Sequence, residues 1–177
     1  MAKGKPDLSN TAIRIFLHRV GTAYDAAREF QPFKTSGPEW EKARQYFDNG
    51  CAYCGVKLDA DAVVQDHLIP INKESLGLHA WGNVVPSCAK CNKVKHHREW
   101  TAFLEEVCDA KDYLPIMKRI KGFMQKYRYS HGTDLGPIAV NLYEDIGELC
   151  MTLIELRIKQ AKLLIDKQIT TAVGGRD

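Results

Sequence analysis

Apolar residues between positions 9 and 29 recur at spacings of three and four, at Ile13, Phe16, Leu17, Val20 and Tyr24. This period predicts an amphipathic helix, with Ser9, Asn10 or Thr11 available as its cap. Pro32 and residues 34–37 interrupt it. A second helix is expected from Ser36, with Pro38 in the first turn and Glu39 three residues on as a capping box, ending at the Asn49-Gly50 turn. The pattern then shortens. Residues 51–58 (CAYCGVKL) read as a tight knuckle, with Gly55 letting backbone amides approach sulfur. Residues 62–65 form a brief β-branched run stopped by Pro70. Gly77 and Gly82 mark a loop over 71–82, and residues 83–86 supply a second short strand. From Ala89 the period is helical again, with Val94, Trp100, Phe103, Leu104 and Val107 on the expected buried face. The order is strand, loop, strand, helix, and Trp81 and Trp100 read most simply as packing residues.

Residues 111–129 predict a further helix, and a loop at 130–136 separates it from a last one over about 137–170. At 1.5 Å per residue that helix would span roughly 50 Å. Leu142, Leu149, Leu156 and Leu163 recur every seventh residue, with Ala139, Ile146, Leu153 and Gln160 at the interleaved positions, which makes a heptad seam. Such a seam docks either on the first helix of its own chain or on a second copy, giving a homodimer. Gly174 and Gly175 close a tail expected to fray.

Composition narrows the setting. With 45% hydrophobic residues the chain should fold, and a formal charge of +3 does not by itself mark a nucleic-acid binder. The local charge is more informative: residues 111–128 carry Lys111, Lys118, Arg119, Lys121, Lys126 and Arg128 against Asp112. Interleaved with Phe123, Tyr127 and Tyr129, they suit either a phosphate backbone or a solvated helix face. The polar first ten residues do not resemble a secretory signal, and no run is long enough for a membrane span. Six cysteines in such a chain indicate a reducing, cytoplasmic setting, where paired thiols read as metal ligands before disulfides.

Cys51, Cys54, Cys88 and Cys91 form two Cys-x-x-Cys pairs, the arrangement of a structural Zn2+ site; Cys108 and Cys150 stand alone. Within the zinc loop, Asp66 and His67 end the first strand, while Asn92 follows the last cysteine. The Asp66 carboxylate and the Asn92 amide oxygen suit a hard cation such as Mg2+ or Mn2+. His67, with an ordinary pKa near 6.5, suits removal of a proton from water.

The residues DHLIP, GNVVPSC and CAKCNKVKH resemble the HNH endonucleases of the ββα-metal class, in the form stapled by two Cys pairs. The resemblance covers roughly residues 51–97. It implies a small ββα-metal core with structural zinc (51–108); with the helices read from the apolar spacing, an N-terminal helical extension (1–50) and a C-terminal helical region (109–177), the expected fold is α+β and predominantly helical. The resemblance also implies a metal-dependent endonuclease that hydrolyses phosphodiester bonds of double-stranded DNA in a bacterial or phage-infected cell. Asp66 then ligates the catalytic metal, His67 is the general base, Asn83 ties the loop between the strands to backbone groups, and Asn92 is a second ligand. His96, one helical turn on, is either a further ligand or a phosphate contact. Lys93, Lys95 and Arg98 are placed to hold flanking phosphates, as Lys118, Arg119 and Lys121 are on the basic helix. His18, His79, His97 and His131 are expected at the surface. A second reading is a zinc-containing DNA-binding module without cleavage activity.

Overall fold

The first apolar stripe folds as α1 (Lys5–Ala27), in a computed structural model that describes residues 5–131 and 135–174. Ile13 and Leu17 are fully buried, and Phe16, Val20 and Tyr24 pack beside them. The helix starts before the expected cap. Ser9 therefore lies buried within it, and the Thr11 hydroxyl bonds back to the Asp7 carbonyl at 2.8 Å instead of capping. Near its end, Asp25 is fully buried. Its Oδ1 accepts from the Trp81 amide at 3.1 Å and from Arg28 at 2.6 Å, while Oδ2 accepts from the Phe33 amide at 2.9 Å. One carboxylate thus ties α1 to the segment after it and to the loop before the second strand.

The second helix, α2 (Pro38–Tyr46), does not form the expected capping box. Gly37 takes the cap position at φ 148°, so Ser36 lies one residue too early for its hydroxyl to act. Asp48 and Asn49 turn the chain in the left-handed region, at φ 52° and 53°, which short polar side chains tolerate. The knuckle follows at once, with Gly50 bridged to Lys57 and the Cys51 amide bonded to the Val56 carbonyl.

Strands β1 (Val63–His67) and β2 (Val84–Cys88) pair antiparallel, with Asp66 opposite Val85 and His67 opposite Val84. Pro86 is tolerated in β2 because its carbonyl is used from the knuckle side, accepting from the Ala52 amide at 2.8 Å. The helix expected from Ala89 is two helices, α3 (Ala89–Lys95) and α4 (Trp100–Val107). His96 turns to φ 51° and ends α3, and Arg98 covers that end by donating to the carbonyls of Val94 and Lys95. The Trp100 amide bonds the Leu68 carbonyl at 3.1 Å, anchoring α4 to the chain just beyond β1. The break changes the buried face. Trp100, Phe103 and Leu104 are inside as expected, but Val94 and Val107 are 45% and 47% exposed.

Helix α5 (Ala110–Lys126) lays Ile120 and Phe123 on the same core. That core is continuous from Phe33 and Phe47 through Tyr53, Val84 and Trp100 to Phe123 and Tyr127, so it draws on residues before, within and after the sheet region. The expected loop between the last two helices includes residues 132–134, which lie outside the described set. Helix α6 (Gly136–Gly174) packs its first turns on α1 through Ala139 and Leu142. The seam then leaves the body of the molecule: Leu149, Leu156 and Leu163 are all at least half exposed. Gly175, assigned to a frayed tail, is outside the described residues. No helix among the described residues is long and apolar enough to cross a membrane.

Candidate metal centre and active-site cleft

The knuckle and the start of α3 bring four sulfurs together. The Sγ atoms of Cys51, Cys54, Cys88 and Cys91 all lie within 4.8 Å of one another, and those of Cys54 and Cys88 are 3.9 Å apart. Tetrahedral zinc with thiolate bonds of about 2.3 Å requires sulfur separations of about 3.8 Å, so the donor set and its spacing fit the ion. The electrostatics agree. Cys51 is held down to about 4, chiefly by a hydrogen bond from the Cys91 thiol, whereas burial pushes Cys54 up to about 11 and Cys91 is raised by the same Cys51 contact. Four thiols so close cannot all ionise unless a cation offsets their repulsion.

Beyond β1, Asn83 organises the return of the chain. It is fully buried; its Oδ1 accepts from the Ile69 amide at 2.9 Å, and its Nδ2 donates to the carbonyls of Ile69 (3.0 Å) and Leu78 (2.8 Å). The loop closes so tightly there that a Cβ on Gly77 would lie 2.0 Å from the Ile69 carbonyl oxygen.

Neighbouring residues of a regular strand face opposite ways. Asp66 and His67 nonetheless line the same cleft, of about 750 Å3, because β1 ends at His67. Arg14 from α1, Lys73 from the loop, Lys95, His96 and His97 line it as well. Asp66 is nearly buried. Its Oδ2 accepts from the Tyr53 hydroxyl at 2.6 Å and lies 3.2 Å from the Lys95 ammonium, which also donates to the His67 carbonyl at 2.7 Å. Burial raises the Tyr53 hydroxyl well above its ordinary value, and the adjacent Asp66 charge adds to this, so Tyr53 stays a donor. Burial lowers Lys95, against the pull of Asp66.

His67 belongs to a cluster of three histidines. Its Nε2 lies 3.0 Å from Nδ1 of His79, and the His79 ring stacks on His18 with centroids 4.0 Å apart. Burial pushes His67 well below its usual value, and the charges of His79, His18, Lys95 and Arg14 act the same way. The ring is therefore neutral at pH 7, the state in which an imidazole can accept a proton.

The other expected site residues are dispersed. Asn92 is partly buried on α3 and does not line the cleft; Lys93 is exposed beside it. Lys95, expected to hold a flanking phosphate, is instead fully buried. It lies four residues after Cys91, one helical turn along, and so shares the inward side of α3 with that cysteine. Arg98 pairs with Glu106, and Arg119 with Asp48 at 2.7 Å, whereas Lys118 and Lys121 are exposed on α5. His79 and His18, expected at the surface, are buried and partly buried. Tyr53, His79 and Asp25 are structural partners of the site that sequence reasoning missed, and Lys95, assigned to a phosphate, pairs with Asp66 instead. Asp25 carried a usable signal, since it continues the 13, 17, 21 stripe of α1 onto the buried face, as did Lys95 through its spacing from Cys91.

Residues 51–98 match the HNH endonuclease family model. Over 71 residues the chain is 30% identical to YoqL of Bacillus subtilis (strain 168), whose name assigns it to the SPbeta prophage and to the HNH endonucleases. That similarity covers 35% of this chain and 31% of YoqL, so the chain spans under a third of the curated relative it matches. No solved structure matches significantly.

Proposed function

We propose, from the HNH endonuclease domain that residues 51–98 form, that this chain is a metal-dependent endonuclease acting on double-stranded DNA in the cytoplasm of a bacterial or phage-infected cell. The observation that carries this reading is the meeting of Asp66 and His67 in one cleft at the open end of β1. His67, neutral and partly buried, takes a proton from the water that attacks phosphorus. Arg14 and Lys73 face the same cleft and suit flanking phosphates, with Lys93, Lys118 and Lys121 as outlying contacts. Arg98 and Arg119, already ion-paired, are weaker candidates for that role.

A buried carboxylate opening on a polar cleft fits a hard divalent cation. Asp66 would hold Mg2+ or Mn2+, which would supply charge stabilisation at the phosphate and leaving 3′ oxygen when bound; His96, in the cleft lining, is the further candidate donor, whereas Asn92, the second ligand expected from the sequence, lies outside that lining. Tyr53 and Lys95 orient the carboxylate meanwhile.

One observation favours a second reading, a zinc-bound DNA-binding module without cleavage. The Lys95 ammonium already neutralises Asp66. Conversion of supercoiled plasmid in Mg2+ or Mn2+ separates the two readings. Wild type should nick and His67→Ala should not; equal conversion by both would sink the hydrolytic mechanism. The exposed leucines of α6 further support a homodimer that sets two clefts on opposite strands. Light scattering at micromolar concentration should then give twice the chain mass, and a monomer would remove that part of the proposal.

A further inference from the structure

The residue whose ring nitrogen meets His67 Nε2 lies outside the cleft. Three contacts fix the His79 ring and backbone: His18 stacks on it at 4.0 Å with planes 21° apart, Phe33 meets it edge-on at 5.5 Å, and Gly21 of α1 sits directly under its carbonyl. A Cβ on Gly21 would come within 2.3 Å of that oxygen. Asn83 secures the preceding residue by its bond to the Leu78 carbonyl. His79 is thus pressed between α1 and the loop, and its Nδ1 faces His67 Nε2 at 3.0 Å.

That contact carries one proton, and its placement decides whether His67 can act as a base. If His79 Nδ1 holds the proton, His67 Nε2 is the acceptor and the neutral His67 ring must carry its own proton on Nδ1. No lone pair then remains for water. If His67 Nε2 holds the proton, its Nδ1 is bare.

We propose that His79 is the positioning residue for His67, accepting the His67 Nε2–H on Nδ1 and so leaving His67 Nδ1 unprotonated for the attacking water. The inference rests on His67 being the base. When water gives its proton to His67 Nδ1, the ring becomes imidazolium and Nε2–H continues to donate to His79. The positive charge is then met by a fixed lone pair rather than by a second cation. Burial, which lowers His79 to about 4, keeps that partner neutral at working pH. His79 does not line the cleft, so it acts through His67 alone and leaves substrate contacts unchanged.

The full chain, zinc-loaded, tests this through two measurements. The 15N shifts of the imidazole nitrogens, assigned with His67→Ala, report the tautomer without reference to cleavage. Wild type should show His67 protonated on Nε2, and a His67 proton on Nδ1 would overturn the proposal even if DNA is cut. The second measurement is plasmid nicking by His79→Leu, His79→Asn and His79→Gln. Loss of a partner that orients a functional histidine typically costs 10–100-fold. His79→Leu should lose about that in kcat with KM unchanged. Asn places an amide where Nδ1 stood and should restore most of it, whereas Gln, which reaches to the Nε2 position, should not. Equal kcat for wild type and His79→Leu, or equal loss in His79→Leu and His79→Asn with both folded by circular dichroism, overturns the assignment. If His67→Ala cuts as well as wild type, the nuclease mechanism itself has failed, and the tautomer measurement still decides whether His79 holds His67.

Discussion

Acid should destabilise this protein through His79 in a way that one substitution removes. His79 titrates at about 4 in the folded chain against an ordinary 6.5, with burial as the larger cause and the charge of His18 as the second. A lowered folded value means that the unfolded chain binds a proton first as pH falls. The stabilisation is complete above pH 6.5 and is lost on descent toward 4. At about 1.36 kcal/mol per pKa unit, the loss from this group is about 2 kcal/mol by pH 5 and about 3 kcal/mol by pH 4. His18 and His67 are shifted in the same direction and steepen the wild-type response. Zinc release from protonating thiolates contributes as well, so the comparison is between wild type and His79→Leu, which share the cysteines. Urea unfolding at pH 7 and pH 5 is the assay. The wild type should lose about 2 kcal/mol more than His79→Leu over that interval. Equal losses would show that His79 is solvated and easily protonated in the native state, and the buried three-histidine cluster would have to be abandoned.

Two other expectations concern the groups around Asp66 and the cysteines. Lys95→Met should destabilise the zinc-loaded protein, without added Mg2+ or Mn2+, by about 3–5 kcal/mol, because it strands a buried carboxylate. The double substitution Lys95→Met, Asp66→Asn should recover much of that in urea melts, and additive losses would deny the ion pair. Stripping the protein with a strong chelator should remove one zinc per chain by elemental analysis and unfold the knuckle, since binding energy of such sites is on the order of 10 kcal/mol. A chelated protein with an unchanged near-ultraviolet spectrum would mean that the four thiols need no ion.

The parts of the site legible in the sequence are those whose spacing is local. The two Cys-x-x-Cys pairs, the Asp66-His67 step before a proline and the Asn83 position all sit on short, sharply punctuated elements, and residues 51–98 match the HNH endonuclease model; Asn92, expected as a ligand, lies outside the cleft lining. What escaped depends on distant packing. Tyr53 reads as a knuckle residue until the sheet folds over it and its hydroxyl meets Asp66. Lys95 reads as one of several basic helix residues, yet it is the one on the cysteine side. His79, in a loop, has no periodicity to betray that α1 covers it. The single helix expected after Ala89 fails at His96, because the polar run 95–99 offers no apolar period to oppose a turn. The leucine seam of α6 was visible as a pattern, but a heptad does not name its partner. Only its first turns find one on α1.

The bonds of Asp25 bear on how portable the family-matching segment is. A cut at residue 51 would keep the whole family-matching segment, yet it would leave the Trp81 amide without its acceptor and strip His79 of its roof at Gly21 and His18. In this chain the N-terminal helix is therefore a wall of the candidate site rather than an appendage to it. Grafts or chimeras built on this scaffold should inherit residues 13–33 together with the metal-binding segment.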